Sequence, residues 1–393
     1  MYAIKLLHKK IQTACPSIHA TRLHCLMSAT DALIKGQRLT LTDIGRSLSS
    51  NAYVKHNIKR VDRLIGNSFL HSERQSIYAA LATLLLNKQP RPLIIVDWSD
   101  LATANEAQLL RASLPIGGRA ITLYEEVHPI DRLDNPKIHR AFLKRVRNVL
   151  PEGCKPIVIT DAGFRNTWFN SVVELGWDWV GRIRNRTLFK LENEDIWLPC
   201  KSLYEQATTK AKYIGKAQIA KSNPIGCHLY LVRKKNKGRT YHVTSTNQRV
   251  KSAQREREPW LLASSLAFDK DIPNKVVAYY KSRMQIEEAF RDTKSVRYGF
   301  CFRHTKSTQI ERLQILLLIA TLAIFSLLLI GWTVETKRHH YRFQVNSITH
   351  RKVLSTFYLG CMVVTSNYLL PTHKELLEAL KSLQDRVRFN EIT

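Results

Sequence analysis

Residues 93–97 read Leu-Ile-Ile-Val-Asp and residues 156–161 read Pro-Ile-Val-Ile-Thr-Asp, and these two stretches decide the fold. Each is a short apolar run, rich in β-branched residues, that ends in an aspartate. Such runs predict buried strands. A carboxylate at the carboxyl end of a buried strand faces the crevice in which open α/β sheets bind ligands. Asp97 and Asp161 are therefore candidate site residues, because one buried carboxylate is costly but several can be compensated by divalent cations.

A third acidic candidate lies in residues 279–294, YYKSRMQIEEAFRDTK. Tyr280, Arg283, Glu287 and Lys294 follow one another at steps of three, four and seven residues, which places them on one face of a single predicted helix. A carboxylate among phosphate-binding groups is what a metal-dependent phosphoryl-transfer site on DNA needs. The same spacing also occurs in solvated helices with salt bridges, and this stretch alone leaves that possibility open.

Three more carboxylates compete for the same roles. Asp100 follows Asp97 by three residues, and Glu288 and Asp292 lie in the same predicted helix as Glu287. A shift of one residue turns a helical side chain by about 100°, so Glu288 would point away from the face that carries Glu287. For each candidate the competing role is that of a capping or ion-paired carboxylate.

The two aspartates and the pattern Tyr-x2-Arg-x3-Glu-x6-Lys together resemble bacterial insertion-sequence transposases of the DDE class. The resemblance is to the group with the Tyr-Arg-Glu-Lys signature, the insertion sequence four family, and it extends from the basic segment 55–60 to residue 346. It implies an α/β fold, with an RNase H-like mixed-sheet catalytic core, a β-strand-rich insertion that interrupts the core, and an all-helical N-terminal DNA-binding domain.

The resemblance also implies the chemistry. Asp97, Asp161 and Glu287 would form the catalytic triad and hold two Mg²⁺ ions, for which Mn²⁺ can substitute, with Asp97 as the bridging ligand. A cut-and-paste transposase of this group binds the terminal inverted repeats of its element and cleaves the second strand through a DNA hairpin. It then joins the 3′ ends to target DNA. The expected partners are double-stranded DNA and a second copy of the chain, as a homodimer in the synaptic complex.

Four further residues receive DNA-binding roles from the same resemblance. Arg283 and Lys294 are expected to bind the DNA backbone near the scissile phosphate, since Arg binds phosphate bidentately and Lys as a point charge. Tyr280 is expected to donate a hydrogen bond to a phosphate. Trp260 is expected to stack on a base that is flipped out of the duplex end, unless it occupies a core position on a strand.

Apolar residues recur at helical spacing through residues 1–85, which predicts an all-helical region. Within it, residues 55–64 predict a helix with one basic face and one apolar face. This segment resembles the second helix of a helix-turn-helix, although an ordinary solvated basic face would show the same pattern. The predicted DNA contacts are Lys55, Lys59, Arg60 and Arg63.

Residues 186–262 are rich in predicted strands. Strands are expected at 225–233 and 240–245, joined by the basic turn 234–239, and residues 260–263 predict a strand that returns to the core. The predicted domains are 1–85 (DNA-binding), 86–185 (core, first part), 186–262 (β-rich insertion), 263–345 (core, second part) and 346–393 (a C-terminal helical region).

Composition agrees with a DNA-binding protein. The 393 residues include 61 Lys and Arg against 32 Asp and Glu, a net charge of +29, and such an excess calls for a polyanionic partner. Seven scattered cysteines without a CxxC pair argue against a disulfide framework and structural zinc, which favours the cytoplasm. The family resemblance implies that this is the bacterial cytoplasm, with association with the nucleoid.

Three rival functions stay open at the level of sequence. The first is a membrane protein, because the uncharged segment 313–332 is long enough to span a bilayer. A helix that is apolar on all sides also suits the centre of a large domain, and we expect this core helix and no membrane. The second is an RNase H-like nuclease or resolvase that never joins strands, and the third is a DNA-binding regulator without catalysis.

Overall fold

The computed structural model describes residues 1–87, 89–101, 106–184, 187–234 and 258–389. Over these residues the protein forms one ten-stranded sheet and 12 α-helices. The sheet contains both parallel and antiparallel pairs, so the predicted mixed α/β class is confirmed.

The first five strands form the half of the sheet that carries the aspartates. Their bounds are β1 Leu93–Asp100, β2 Gln108–Pro115, β3 Ala120–His128, β4 Ile157–Thr160 and β5 Asp178–Ile183. Their order is β3-β2-β1-β4-β5; β1, β4 and β5 are parallel, and β2 is antiparallel to both β1 and β3. This order is consistent with an RNase H-like core. Gly117 and Gly118 form the predicted β2–β3 turn at φ values of 87° and 90°, which residues with a side chain rarely adopt.

Five more strands extend the same sheet beyond β5. They are β6 Leu188–Leu191, β7 Leu198–Pro199, β8 Lys212–Ile219, β9 Ile225–Val232 and β10 Trp260–Ser264, in the order β10-β9-β8-β6-β7. Strand β10 pairs with β5, as expected of a strand that returns to the core. The predicted strand 240–245 and most of the turn 234–239 lie outside the described residues, and the limits 186–262 of an insertion stay a prediction.

The N-terminal region is helical, as predicted. Its helices are α1 Tyr2–Ala14, α2 Ala20–Gly36, α3 Leu41–Arg46, α4 Val54–Ile65 and α5 Ser68–Leu86. Side-chain caps begin three of them. His19 Nδ1 accepts from the amide of Thr21 at 3.3 Å, the Thr40 hydroxyl accepts from the amide of Asp43 at 3.1 Å, and Asn67 Oδ1 accepts from the amide of Leu70 at 2.9 Å. That residues 1–85 form a separate DNA-binding domain stays a prediction.

Four helices flank the half of the sheet with the aspartates: α6 Pro136–Val149, α7 Asn166–Glu174, α8 Ile272–Ser282 and α9 Met284–Lys294. The single helix predicted for residues 280–294 is therefore wrong, because α8 and α9 are separated at Arg283. There the amide of Arg283 donates to Tyr280 O and the amide of Ile286 donates to Arg283 O, both at 3.2 Å. These three-residue steps tighten the turn and replace the four-residue bonds of a continuous α-helix.

The uncharged segment belongs to α10, Ile310–Thr336, which is long and apolar enough to cross a membrane, but 94% of its apolar window is buried inside the protein. Its polar side chains are satisfied there: the Thr321 hydroxyl donates to Glu125 at 2.8 Å, and Ser326 donates to Leu322 O at 3.0 Å. The protein therefore uses α10 as the expected core helix.

Two C-terminal helices follow, α11 Thr356–Ser366 and α12 His373–Phe389. Both lie within residues 346–393, for which a helical region was predicted. Helices α10 and α11 approach so closely that a Cβ atom on Gly331 would collide with the backbone of Thr356, and one on Gly360 with the backbone of Leu327. Glycine at these two positions permits the contact.

Candidate active site

Asp97, Asp161 and Glu287 line one cleft of about 800 Å³. Parallel pairing of β1 with β4 ends at Ile95 and Ile159, two residues before each aspartate. Beyond these residues the strands β1 and β4 are no longer paired. Helix α9, which contacts β1, brings Glu287 to the cleft at this point. The structure thus places the three predicted triad carboxylates together in one cleft.

One detail of the prediction for β1 is wrong. Asp97 was expected to end the strand, but β1 continues to Asp100, because antiparallel pairing with β2 persists through Asp100 and Gln108. Asp97 therefore lies in mid-strand, at the point where β1 has lost its partner β4 and keeps only β2.

Arg283 joins two of the three carboxylates. Its Nη1 donates to Asp97 Oδ2 at 3.2 Å and its Nη2 donates to Glu287 Oε1 at 2.8 Å. The Asp97 and Arg283 side chains are each 14% exposed, whereas that of Glu287 is 44% exposed. Asp161 accepts a bond from the amide of Gly163 at 2.8 Å.

The electrostatics of the cleft favour an added cation. Burial, together with the charges of Asp161 and Glu287, raises the pKa of Asp97 to about 7, even though Arg283 opposes the shift. One guanidinium thus does not fully compensate the negative charge that the fold collects here.

The donor set fits a hard divalent ion such as Mg²⁺, which prefers carboxylate oxygens. The residues that could hold it are Asp97, Asp161 and Glu287. Within the described ranges, no three His, Cys, Asp or Glu side chains lie close enough together to share one ion. The chemistry of the donor set nevertheless fits the ion, and Arg283 contacts two of its three members.

The remaining two signature residues are Lys294, which is partly buried, and Tyr280, which is buried. Lys294 lines the cleft, and its Nζ donates to Ser99 Oγ at 2.7 Å and to the carbonyl of Asp100 at 2.9 Å. Burial, with Arg303 and Arg111 nearby, lowers the pKa of Lys294 to about 8. Tyr280 is 5% exposed, and burial raises the pKa of its hydroxyl.

Trp260 lies on β10 and is 7% exposed. Its ring packs edge-on against Tyr280, with the ring centroids 4.8 Å apart, and the Lys234 ammonium lies 3.4 Å from its centroid. The contact with Tyr280 ties Trp260 to the signature, but a base could stack on the covered face only after Lys234 had left it.

The competing carboxylates do not line the cleft. Asp292 is buried and accepts from Arg119 Nε at 2.8 Å, and Glu288 accepts from Arg291 Nη1 at 2.8 Å. Both are therefore ion-paired carboxylates, which was the alternative to a catalytic role for each of them. The side chain of Asp100 also lies outside the lining of the cleft.

Sequence reasoning missed three arginines of the cleft. Arg291, Arg297 and Arg303 line it and are exposed. Arg291 bonds Glu288, whereas the Arg297 guanidinium lies over the ring of Tyr298, 5.1 Å from its centroid. The signal was the series of basic residues that begins at Arg291 and continues past the end of α9.

The predicted DNA contacts on α4 do not line the cleft. Lys55, Lys59 and Arg63 are exposed, and Lys59 pairs with Asp62 at 2.8 Å. Arg60 is half-buried and donates to Cys25 Sγ at 3.6 Å, so it is less available to DNA than the first three.

Comparison with known proteins gives one family. The model for the transposase DDE domain matches residues 88–326, more than half of the chain. The matched range contains Asp97, Asp161 and the segment 280–294 and excludes α4. A search of curated proteins gave no match.

Proposed function

Since the chain belongs to the transposase DDE domain family, and is thus a metal-dependent enzyme that cuts and transfers DNA strands, we propose that it is the cut-and-paste transposase of a bacterial insertion sequence. We assign it to the group with the Tyr-Arg-Glu-Lys signature, of the kind found in the tetracycline-resistance composite transposon. The observation that carries the proposal is the cleft that Asp97, Asp161 and Glu287 share with the signature residues Arg283 and Lys294.

Asp97, Asp161 and Glu287 would hold two Mg²⁺ ions in this proposal, and Mn²⁺ would substitute for them. When bound, such ions activate the attacking oxygen and stabilise charge on the leaving oxygen. The position of Asp97 supports this role, because burial and the nearby charges of Asp161 and Glu287 raise its pKa, and a divalent ion would offset both effects.

The cations of the cleft place the DNA. Arg283 and Lys294 bind backbone phosphates beside the scissile bond, and the Tyr280 hydroxyl donates to a phosphate. Trp260 stacks on a flipped base, which takes the place of the Lys234 ammonium over the ring. The short distance from this ammonium to the ring supports the proposal, because it shows that the face of the ring can hold a partner.

The reaction begins when water attacks a phosphodiester at the element end and releases a 3′-hydroxyl. This hydroxyl attacks the opposite strand, which closes a hairpin and frees the flanking DNA. A second water opens the hairpin, and the same 3′-hydroxyl attacks a phosphodiester of target DNA, which completes the joining. Two ends must be handled together, so a homodimer acts, and the exposed basic residues of α4 bind the terminal inverted repeats.

The proposal is tested with the purified protein, Mg²⁺ and a duplex that carries the element end, resolved on a denaturing gel. The wild type should give a hairpin, and Asp97→Ala should give none. Glu287→Ala should abolish cleavage and keep end binding, whereas the matched control Glu288→Ala, which removes the neighbouring carboxylate outside the cleft, should still cleave.

The same experiment separates the rival functions. Nicked DNA without hairpin or joined product would indicate a nuclease. Firm binding to the verified end without cleavage would indicate a regulator. Loss of binding in Glu287→Ala would make Glu287 structural rather than catalytic.

A further inference from the structure

Arg283 makes contacts that its expected role as a phosphate ligand does not require. It donates to Asp97 Oδ2 at 3.2 Å and to Glu287 Oε1 at 2.8 Å, and these are oxygens that a metal ion would use. A guanidinium stays protonated at every physiological pH, so Arg283 supplies one full positive charge that Asp97 and Glu287 share.

The remaining cations of the cleft do not take this position. Lys294 is directed to Ser99 Oγ and the carbonyl of Asp100, and Arg291 bonds Glu288. Among the residues that the structure describes, the hydrogen bonds to the side chains of Asp97 and Glu287 come from Arg283 and from the amide of Trp98. Arg283 is thus the cation that holds these two carboxylates.

Its place in the chain suits a residue with two positions. Arg283 lies between α8 and α9, at the step where three-residue hydrogen bonds replace the helical pattern. Its backbone is hydrogen-bonded to Tyr280 and Ile286 at the edge of the cleft, while its long, flexible side chain extends to the carboxylates.

We propose that Arg283 is an internal competitor of the first divalent ion: it occupies the carboxylates of the free protein and leaves them for a DNA phosphate, so that metal uptake is coupled to DNA binding. This inference rests on the proposed function, because it takes Asp97 and Glu287 as metal ligands. The coupling is reciprocal by thermodynamic necessity, and bound metal must equally favour the DNA-bound position of Arg283.

The test measures Mn²⁺ affinity of the DNA-free protein from the electron paramagnetic resonance signal of free Mn²⁺. Arg283→Gln removes the competing charge and keeps a long polar side chain. In this variant the two charge-assisted hydrogen bonds from Arg283 no longer compete with the ion for Asp97 and Glu287. The Mn²⁺ dissociation constant should therefore fall at least about tenfold. The matched control Arg297→Gln removes one charge from the same cleft without touching Asp97 or Glu287, and it should change the constant much less.

The variant Asp97→Asn distinguishes a failure of this inference from a failure of the proposed function. If wild-type binding depends on Asp97 but Arg283→Gln binds no more tightly, Arg283 is not a competitor and the metal site stands. If no variant shows binding that depends on Asp97, the proposed metal site fails as well.

A second variant and a DNA titration guard against a misfolded protein. Circular dichroism checks each fold, and Arg283→Lys, which keeps the charge but loses the two-pronged contact, should give an intermediate affinity. A duplex with the element end should tighten Mn²⁺ binding in the wild type more than in Arg283→Gln. An equal effect in both proteins would contradict the exchange.

Discussion

Asp97 and Glu126 are both buried carboxylates, and their pKa values lie on opposite sides of the ordinary range. Burial and the neighbouring carboxylates raise the pKa of Asp97 to about 7. Burial acts the same way on Glu126, but hydrogen bonds from His128, Arg145 and Tyr124 outweigh it and lower the pKa to about 2. Hydrogen bonds thus compensate Glu126, whereas Asp97 keeps charge that a ligand could compensate; burial also raises the pKa of the ion-paired Asp292 to about 7, so it is the shared cleft, and not the pKa, that marks Asp97 as the candidate.

Glu126→Gln should therefore destabilise the protein in a pH-dependent way. The folded pKa of Glu126, about 2, lies below its ordinary 4.5, so its stabilisation is complete above about pH 4.5 and is lost as the pH falls toward 2. The shift corresponds to about 3 kcal/mol of unfolding free energy at neutral pH. Urea unfolding of both proteins at pH 7 and at about pH 3 measures the difference, which should shrink at the lower pH. A difference that stays constant would assign the effect to packing.

Arg303→Gln should weaken DNA binding at every sequence tested. Arg303 lines the cleft, is exposed, and lies close enough to Lys294 to help lower the pKa of that lysine. If it contacts one phosphate, the slope of log affinity against log salt should become shallower by about 1. Fluorescence anisotropy over a series of salt concentrations gives the slope. Lys144→Gln, an exposed cation on α6 outside the cleft, is the control; an equal change there would indicate an effect of net charge alone.

At the scale of elements, the sequence predicted β1, β4 and α9 well enough to name the carboxylates, because apolar runs and helical spacing are local signals. It could not predict where β1 ends, since that depends on pairing with β2, a separate strand. The break at Arg283 was also missed, because a three-residue hydrogen bond leaves no mark in the spacing of side chains. The ion pair between Arg283 and Glu287, which their four-residue spacing left open as an alternative, is present, but the bond from Arg283 to Asp97 depends on the tertiary fold.

The contact of α9 with the sheet rests on a buried ion pair that the sequence did not reveal. Arg111 lies opposite Asp97 in the β1–β2 register, is 1% exposed, and bonds Glu125 at 2.7 Å. Its guanidinium lies 4.9 Å from the ring centroid of Phe290 on α9. Glu125 also accepts from Thr321 on α10, which explains the polar residue in that apolar helix.

Arg111→Leu should lower the unfolding free energy by about 3–5 kcal/mol, because it leaves Glu125 charged, buried and without its ion-pair partner. Thr321→Val is the milder comparison; it removes one hydrogen bond from Glu125 while Arg111 and Tyr78 still donate, and about 1 kcal/mol should be lost. Urea unfolding followed by fluorescence measures both. Equal losses would mean that the network is not held by the ion pair.

At the scale of the whole molecule, α10 connects the helical region to the sheet. It contacts α1, α2, α4 and α5 of the N-terminal region, and it also contacts β3, α11 and α12. Composition could not tell a membrane span from a core helix, because both are apolar on every face. The decision lies in these contacts, most of which join residues far apart in the sequence.

The same contacts predict how the N-terminal region behaves when it is isolated. A fragment of residues 1–87 contains α1 to α5 but lacks α10, and it exposes apolar side chains of the helices that contact α10, such as α2. Isolated helices of about 12–15 residues are marginal in water without tertiary contacts. The fragment should therefore lose much of its helical circular dichroism and bind the dye anilinonaphthalene sulfonate, whereas the full chain should unfold in urea with the N-terminal helices and α10 together.

Hydrogen exchange of the full chain tests the second expectation, because α2 and α10 should show similar protection. Arg312→Gln in the full chain is the control, since it removes only the partly exposed ion pair of 2.5 Å between α10 and Asp62 of α4 and should leave both helices protected. A fragment that melts cooperatively without binding the dye would establish residues 1–85 as an independent domain, as the sequence predicted.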